Sequence, residues 1–267
     1  MVGQKNLLDK IQKYTLDTFP HSVLFIGEKG CGKHLLCSEI SKLLNLDTVD
    51  ITENISAEYI ENIYRSPLPK IYLIDLSEFL FDKEQNALLK FVEEPLSNSF
   101  VILLTESKKN VLDTIYNRCR VFEFEPYSKQ DLRQFIQDKE NEELILNIAR
   151  TPGQLLSSNF KDIKELYDLC DKIATKLSSA CFANTLTIAD KINYKDQYDK
   201  FDIDIFLDTL VFTLFNNYLK SNNKIIYNMY LLTIEQRKKL YDKRVNKAIF
   251  MQSFLTKAWK LSRGMNQ

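Results

Sequence analysis

The pattern of apolar positions along this chain changes character at Pro126. Before it, short unbroken apolar runs alternate with stretches whose apolar residues recur every three or four positions. Residues 3–18 predict an amphipathic helix, with Leu7, Leu8, Ile11, Tyr14 and Leu16 on its apolar side. Phe19-Pro20-His21 ends that helix and leads into a strand at 22–26. A helix at 33–45 follows, its apolar face built on Leu35, Leu36, Ile40, Leu43 and Leu44. Then come a strand at 48–52, a helix at 56–65 with Ser56 as N-cap, and a strand at 70–75 set up by Pro67 and Pro69. A helix at 83–94 stops at Pro95, and strands at 100–105 and 121–124 complete this half.

Strands that alternate with helices, and that are apolar on both faces, predict a parallel sheet covered on both sides. Such sheets place ligands at the C-terminal ends of their strands. Gly27, Asp75 and Thr105 stand at three of those ends. Beyond Pro126 no strand is expected. Helices are predicted at 128–138, at 142–150 and from Pro152, a residue suited to a first helical turn. From 161 to 260 the period is mostly helical, with 186–203 ambiguous. In 202–220, Phe206, Leu210 and Leu214 recur every fourth residue, and Val211, Phe215 and Tyr218 widen the stripe. Residues 223–263 predict two packing helices. The pattern shows no internal repeat and no low-complexity segment.

Composition narrows the function without naming it. A chain of 267 residues can bury a sizeable core in two or three small domains. Lys+Arg and Asp+Glu both number 36, so no net field draws the molecule onto nucleic acid or an anionic membrane. Local candidates for DNA contact are Lys108-Lys109 and the basic residues of 237–247. No apolar run approaches the ~20 residues that span a bilayer, and no signal-peptide core is present, so a cytoplasmic location is expected. The five cysteines (Cys31, Cys37, Cys119, Cys170, Cys181) contain no C-x-x-C pair and read as small buried hydrophobes rather than a disulfide framework or a thiolate metal site. Only six glycines occur, and Gly3, Gly27, Gly30 and Gly32 are four of them. Unusual backbone geometry is concentrated near one place.

That place is SVLFIGEKGCGK at 22–33. A strand, a glycine-rich turn and a helix start make a phosphate cradle, in which backbone N–H groups meet phosphates and Lys33 reaches the outer ones. The pattern G-x-x-x-x-G-K-[ST] is met from Gly27 to Lys33 and fails at His34, where a hydroxyl would normally help to hold Mg²⁺. Asp75 closes an apolar strand 42 positions after Lys33, where P-loop ATPases place a carboxylate on the Mg²⁺ side. The next residue is Leu76, where a hydrolytic enzyme would carry a water-activating glutamate. Without a base there, hydrolysis is expected to be very slow. Arg118, in Asn117-Arg118-Cys119, reads in isolation as a solvated surface arginine.

Beyond the P-loop itself, several stretches resemble the bacterial clamp-loader subunits of the AAA+ class, most closely the delta-prime type of DNA polymerase III. They are Val2-Gly3-Gln4, the run 19–25 (FPHSVLF), the run 86–95 (NALLKFVEEP), Thr114-Ile115-Tyr116-Asn117-Arg118-Cys119 and Thr151-Pro152-Gly153. The resemblance covers about the first 160 residues. It implies an AAA+ P-loop domain at 1–126, a small helical lid at 127–160 and an all-α collar at 161–267 that joins a five-subunit ring. It implies that Arg118 matches the family's Ser-Arg-Cys arginine finger, which completes a neighbouring subunit's ATP site, with Asn117 in place of the serine. It places Thr105 at a sensor position. The lid lacks the sensor arginine of active members, since Arg150 falls too early.

Gly27, Gly30, Gly32, Lys33, His34, Asp75 and Thr105 would thus form a degenerate nucleotide site that holds ATP or ADP weakly or not at all. The family's four-cysteine zinc module is absent, and no metal is expected. The implied partners are the other clamp-loader subunits, with the sliding clamp and primer-template DNA met through the complex, and no membrane. The implied role is a non-hydrolysing subunit that helps to load the clamp. The rivals are an ATP-hydrolysing motor of the gamma/tau type and, more remotely, a P-loop kinase.

Overall fold

The computed structural model describes residues 3–65, 69–76, 82–94, 99–156, 163–176, 192–193, 201–240 and 245–264. Val2, Pro67, Pro95, Cys181 and the stretch 157–162, which carry some of the expectations above, lie outside the described residues. The chain forms two compact units, Met1–Asp131 with Thr151–Gly153, and Leu132–Arg150 with Gln154–Gln267.

The first unit is a five-stranded parallel sheet in the order β2-β3-β4-β1-β5. The strands are β1 (Ser22–Ile26), β2 (Thr48–Asp50), β3 (Ile71–Asp75), β4 (Phe100–Thr105) and β5 (Arg120–Glu123). Helices α1 (Lys5–Ile11), α2 (Lys33–Leu44), α3 (Ala57–Arg65), α4 (Asp82–Glu93) and α5 (Asp113–Tyr116) connect and cover them. Successive strand side chains point to opposite faces, so each strand feeds two cores. Val23, Phe25, Ile71, Leu73, Ile102 and Leu104 pack with Leu36, Ile40 and Leu44 of α2. Leu24, Tyr72, Ile74, Val101 and Leu103 pack with Ile60 of α3, Leu88, Phe91 and Val92 of α4, and Ile115 of α5. This is why β1, β3 and β4 carry no polar alternation: both faces are buried.

Several boundaries and faces differ from expectation. The first helix stops at Ile11 because Thr15 and Thr18 form their own turn: Thr15 N–H donates to Thr18 Oγ1 at 2.8 Å, and Phe19 N–H donates to Thr15 O at 2.9 Å. Threonine hydroxyls compete with the helical ladder in this way. On α2, Leu36, Ile40 and Leu44 are buried, whereas Leu35 and Leu43 are exposed. The buried stripe is narrower than predicted, and Cys37 takes a place in it. The strand predicted at 48–52 stops at Asp50 and turns into a 3₁₀ helix, Thr52–Asn54. Ser56 does cap α3, its Oγ accepting from Tyr59 N–H at 3.1 Å.

The second unit contains α7 (Glu142–Ile148), α9 (Ile163–Lys176), α10 (Ile203–Ser221), α11 (Lys224–Lys239) and α12 (Lys247–Ser262). Two further short helices are α6 (Lys129–Arg133), whose residues are divided between the two units, and α8 (Pro152–Leu156). The helix expected over 128–138 ends at Arg133, where the chain tightens into i→i−3 turns at Phe135 and Ile136. The expectation of no strand after Pro126 is corrected. Residues Ile192–Asn193 and Phe201–Asp202 pair in parallel as β6 and β7, a bridge too short to impose any periodicity on the sequence.

Asp202, Asn223 and Asn246 each cap the helix that follows, with a side-chain oxygen accepting from the first turn. In α10, Phe206, Leu210 and Leu214 are buried as the spacing required. Thr209 and Thr213 join the buried stripe, while Val211 and Tyr218 are only half-buried at its margin. Both threonines are fully buried and hide their hydroxyls on the carbonyls of Ile205 and Thr209, at 2.7 and 2.8 Å. Phe215 remains 42% exposed beside Tyr230.

Candidate functional site

The parallel register brings the three predicted strand ends to one edge. Ile26 pairs with Thr105, and Leu104 pairs with Asp75. Gly27 N–H donates to Thr105 O at 3.1 Å, which seats the loop directly on the end of β4. Gly30 and Gly32 have φ values of 79° and 98°. Only glycine adopts these at little cost, and the second of them opens α2.

Every carbonyl from Gly27 to Cys31 accepts a hydrogen bond from within this unit. Lys33 Nζ donates to Gly27 O at 2.6 Å and to Glu28 O at 3.2 Å. Thr151 Oγ1 donates to Lys29 O at 2.9 Å, Gly153 N–H to Gly30 O at 2.9 Å, and Tyr127 OH to Cys31 O at 2.7 Å. The lysine that would meet outer phosphates is buried and turned onto its own loop. The Thr151-Pro152-Gly153 turn therefore has a physical job: it docks on the back of the cradle.

His34 follows on α2 with its Nε2 3.5 Å from Asp75 Oδ2. The hydrogen bond to Asp75 raises the pKa of the imidazole, and the charges of Asp75 and Asp50 add to the effect, against partial burial and Lys33. Asp75 is itself positioned by its neighbours. Its N–H donates to Thr52 Oγ1 at 2.9 Å, and that hydroxyl donates to Asp50 Oδ1 at 2.6 Å. P-loop folds imply Mg²⁺ at this place. Mg²⁺ demands about six oxygen ligands at roughly 2.1 Å in octahedral geometry. An imidazole bonded to Asp75, with Asp50 engaged by the Thr52 hydroxyl, leaves too few free oxygen ligands, so these residues do not fit it. Among the described residues, no three His, Cys, Asp or Glu side chains come together as a metal cluster.

Leu76, at the position of the water-activating glutamate, is 2% exposed and packed in the second core. Thr105 is fully buried, and its hydroxyl donates to Ser107 O at 3.0 Å; it meets the loop through its backbone carbonyl. Arg118 lies apart from the loop. It follows α5, donating from Nη1 to Thr114 O at 2.9 Å, with Nε 2.5 Å from Glu93 Oε1 and the side chain 43% exposed.

Three features were not legible beforehand. Gln85 is 4% exposed and clamps the backbone ahead of α5, its Nε2 donating to Asn110 O at 2.8 Å and its Oε1 accepting from Leu112 N–H at 3.0 Å. A polar residue on the buried face of α4 was the available signal. His21 and Ser22 tie the end of α4 to β1: the imidazole nitrogens lie 3.0 and 3.3 Å from Ser99 O and Phe91 O, and Ser22 Oγ donates to Val92 O at 2.9 Å. Phe91 O and Val92 O belong to the last turn of α4, whose carbonyls a helix C-terminus leaves unpaired, and Ser22 Oγ satisfies the second of them. In the second unit, Asp208 is buried between two arginines, accepting from Arg150 Nη2 at 2.7 Å and Arg237 Nε at 2.9 Å. Arg237 thus leaves the basic stretch considered for DNA contact. Its side chain is 11% exposed and also meets Asp204 at 3.2 Å. Of the other pair of candidates, Lys108 has its ammonium 3.9 Å from the centre of the Tyr116 ring.

A family model described as "DNA polymerase III, delta subunit" matches residues 47–128. DNA polymerase III subunit gamma of Buchnera aphidicola (from Acyrthosiphon pisum) is 28% identical over 171 residues, covering 51% of this chain and 47% of that protein. DNA polymerase III subunit delta′ of Haemophilus influenzae is 28% identical over 145 residues, covering 49% and 44%. Over these stretches the chain is similar to DNA polymerase III gamma and delta′ subunits. It spans about half the length of the curated relatives it matches. A gamma-subunit-related protein of Thermotoga maritima has the same fold, with a TM-score of 0.54 at 16% identity over 97% of this chain and 99% of its own. The likeness extends to the architecture, a parallel sheet with a glycine-rich loop after β1, followed by a helical region. Among the described residues no helix is long and apolar enough to cross a membrane.

Proposed function

We propose that this chain is a non-hydrolysing clamp-loader subunit of the delta-prime kind, which takes part in placing a sliding clamp on primed DNA. The observation that carries the reading is the state of the two positions hydrolysis depends on. His34 is bonded to Asp75 where a hydroxyl should face Mg²⁺, and Leu76 is buried where a base should face water. Its ATP or ADP site would be a scaffold, with Lys33 held on the loop. The chain would act on chemistry elsewhere, with Arg118 stabilising the transferring phosphoryl group in a neighbouring subunit. Residues 127–160 and 161–267 would serve as lid and collar.

Such an arginine is worth about 10³- to 10⁵-fold in rate where it operates. The test is DNA-dependent ATP turnover of the reconstituted loader carrying Arg118→Ala. A large fall with assembly intact is expected; unchanged turnover rejects the finger. The relatedness to gamma subunits favours one rival, an ATP-hydrolysing motor. Steady hydrolysis by the purified chain alone, abolished by Lys33→Ala, would decide for it.

A further inference from the structure

We propose that Glu93 is the positioning residue of Arg118, holding the guanidinium at a set place on the surface of the first unit. The inference rests on the reading of Arg118 as a residue that acts on an adjacent subunit. A long arginine at the end of a four-residue helix would normally sample many rotamers, and each productive encounter would have to order it. Here two different elements hold it. Glu93, the last residue of α4, meets Nε at 2.5 Å, and the Thr114 carbonyl of α5 accepts from Nη1 at 2.9 Å.

A guanidinium carries donors along both edges. Engaging Nε and one Nη1 hydrogen leaves others to meet an anion while the side chain stays 43% exposed. The frame beneath is packed and hydrogen-bonded. Leu88, Phe91 and Val92 of α4 share one core with Val111 and Ile115, and Gln85 bonds the backbone at Asn110 and Leu112 just before α5. The two helices are thus pinned at one end by Gln85 and meet again at the other through Glu93 and Arg118. An exposed ion pair contributes little to stability, so its value here is orientation.

The experiment uses the full chain in a reconstituted loader and compares Glu93→Ala, Glu93→Gln and Arg118→Ala. If Glu93 positions the finger, Glu93→Ala lowers kcat for ATP on the order of 3- to 10-fold, the scale of ordering one long side chain, with KM for ATP and assembly unchanged. Glu93→Gln keeps an acceptor oxygen and restores most of the rate. On the isolated chain, ¹⁵N relaxation at Arg118 Nε reads the ordering directly: restricted in the parent and in Glu93→Gln, mobile in Glu93→Ala. A mobile Nε in the parent overturns the proposal. So does a wild-type rate for Glu93→Ala beside a crippled Arg118→Ala, which would leave only a surface ion pair. Loss of assembly or of melting temperature in Glu93→Ala would mark a structural role and also overturn it. If Arg118→Ala itself changes nothing, the finger reading falls, a result distinguishable from all of these.

Discussion

The docking of the Thr151-Pro152-Gly153 turn on the glycine-rich loop can be tested by adding one methyl group. A Cβ placed on Gly153 would lie 2.4 Å from Gly30 Cα and 2.9 Å from Gly30 O, all of it backbone that cannot swing aside. Ordinary contact begins near 3.4 Å, so the turn must retreat by about 1 Å. That movement stretches the hydrogen bonds from Gly153 N–H to Gly30 O and from Thr151 Oγ1 to Lys29 O, both now 2.9 Å, beyond useful length. Each contributes about 1 kcal/mol net. Replacing glycine by alanine also stabilises by about 0.4–1 kcal/mol through the unfolded chain wherever the native backbone tolerates it. Gly153 is not among the glycines with positive φ, so that gain applies here. The clash wins: Gly153→Ala should destabilise the docked turn by roughly 1–2 kcal/mol. Native-state hydrogen exchange at the amide of position 153 should speed up about 5- to 30-fold, with a matching loss in urea denaturation of the first unit. A variant that is stabilised, with the amide equally protected, would refute the close approach.

The remaining predictions are shorter. Asp208→Ala removes the carboxylate that the buried Arg237 meets through Nε, and should cost about 3–5 kcal/mol in urea denaturation of the second unit; a loss under about 1 kcal/mol would show that the group is effectively solvated. His34 should titrate above its ordinary value of 6.5, and Asp75→Asn should bring the midpoint down, both read from the imidazole proton shift by NMR. Because the folded pKa is raised, the stabilisation from this pair is complete below 6.5 and is lost as pH rises through the raised value. Melting temperatures of the parent and His34→Ala should therefore diverge at low pH and converge at high pH. A constant difference would show that the pair does not titrate.

Much of this protein was readable as pattern. The apolar runs at β1, β3 and β4 meant a sheet buried on both faces, and the glycines at 27, 30 and 32 marked where the backbone must bend. Local chemistry also named the caps at Ser56 and the helix start at Pro152, because each acts within a few residues of itself. The likeness to DNA polymerase III subunits was expected from stretches such as NALLKFVEEP, and the comparisons find it with gamma and delta′ subunits alike.

What the pattern could not hold were the pairings between distant residues. Periodicity assigns a side chain to a face but not to a partner. It therefore could not distinguish Leu36 from Leu35, nor place Thr209 and Thr213 in the core ahead of Phe215. It could state that His34 lacks a hydroxyl, but only the register of β3 beside β4 put Asp75 within 3.5 Å of that imidazole. It could single out Arg118, but Glu93 became its neighbour only when α4 and α5 packed into one layer. The sequence by itself determined the fold class and the position of the glycine-rich loop, since both follow from local backbone preference and burial. Tertiary structure alone decided what the loop's lysine, histidine and aspartate bond to, because those bonds join residues far apart along the chain.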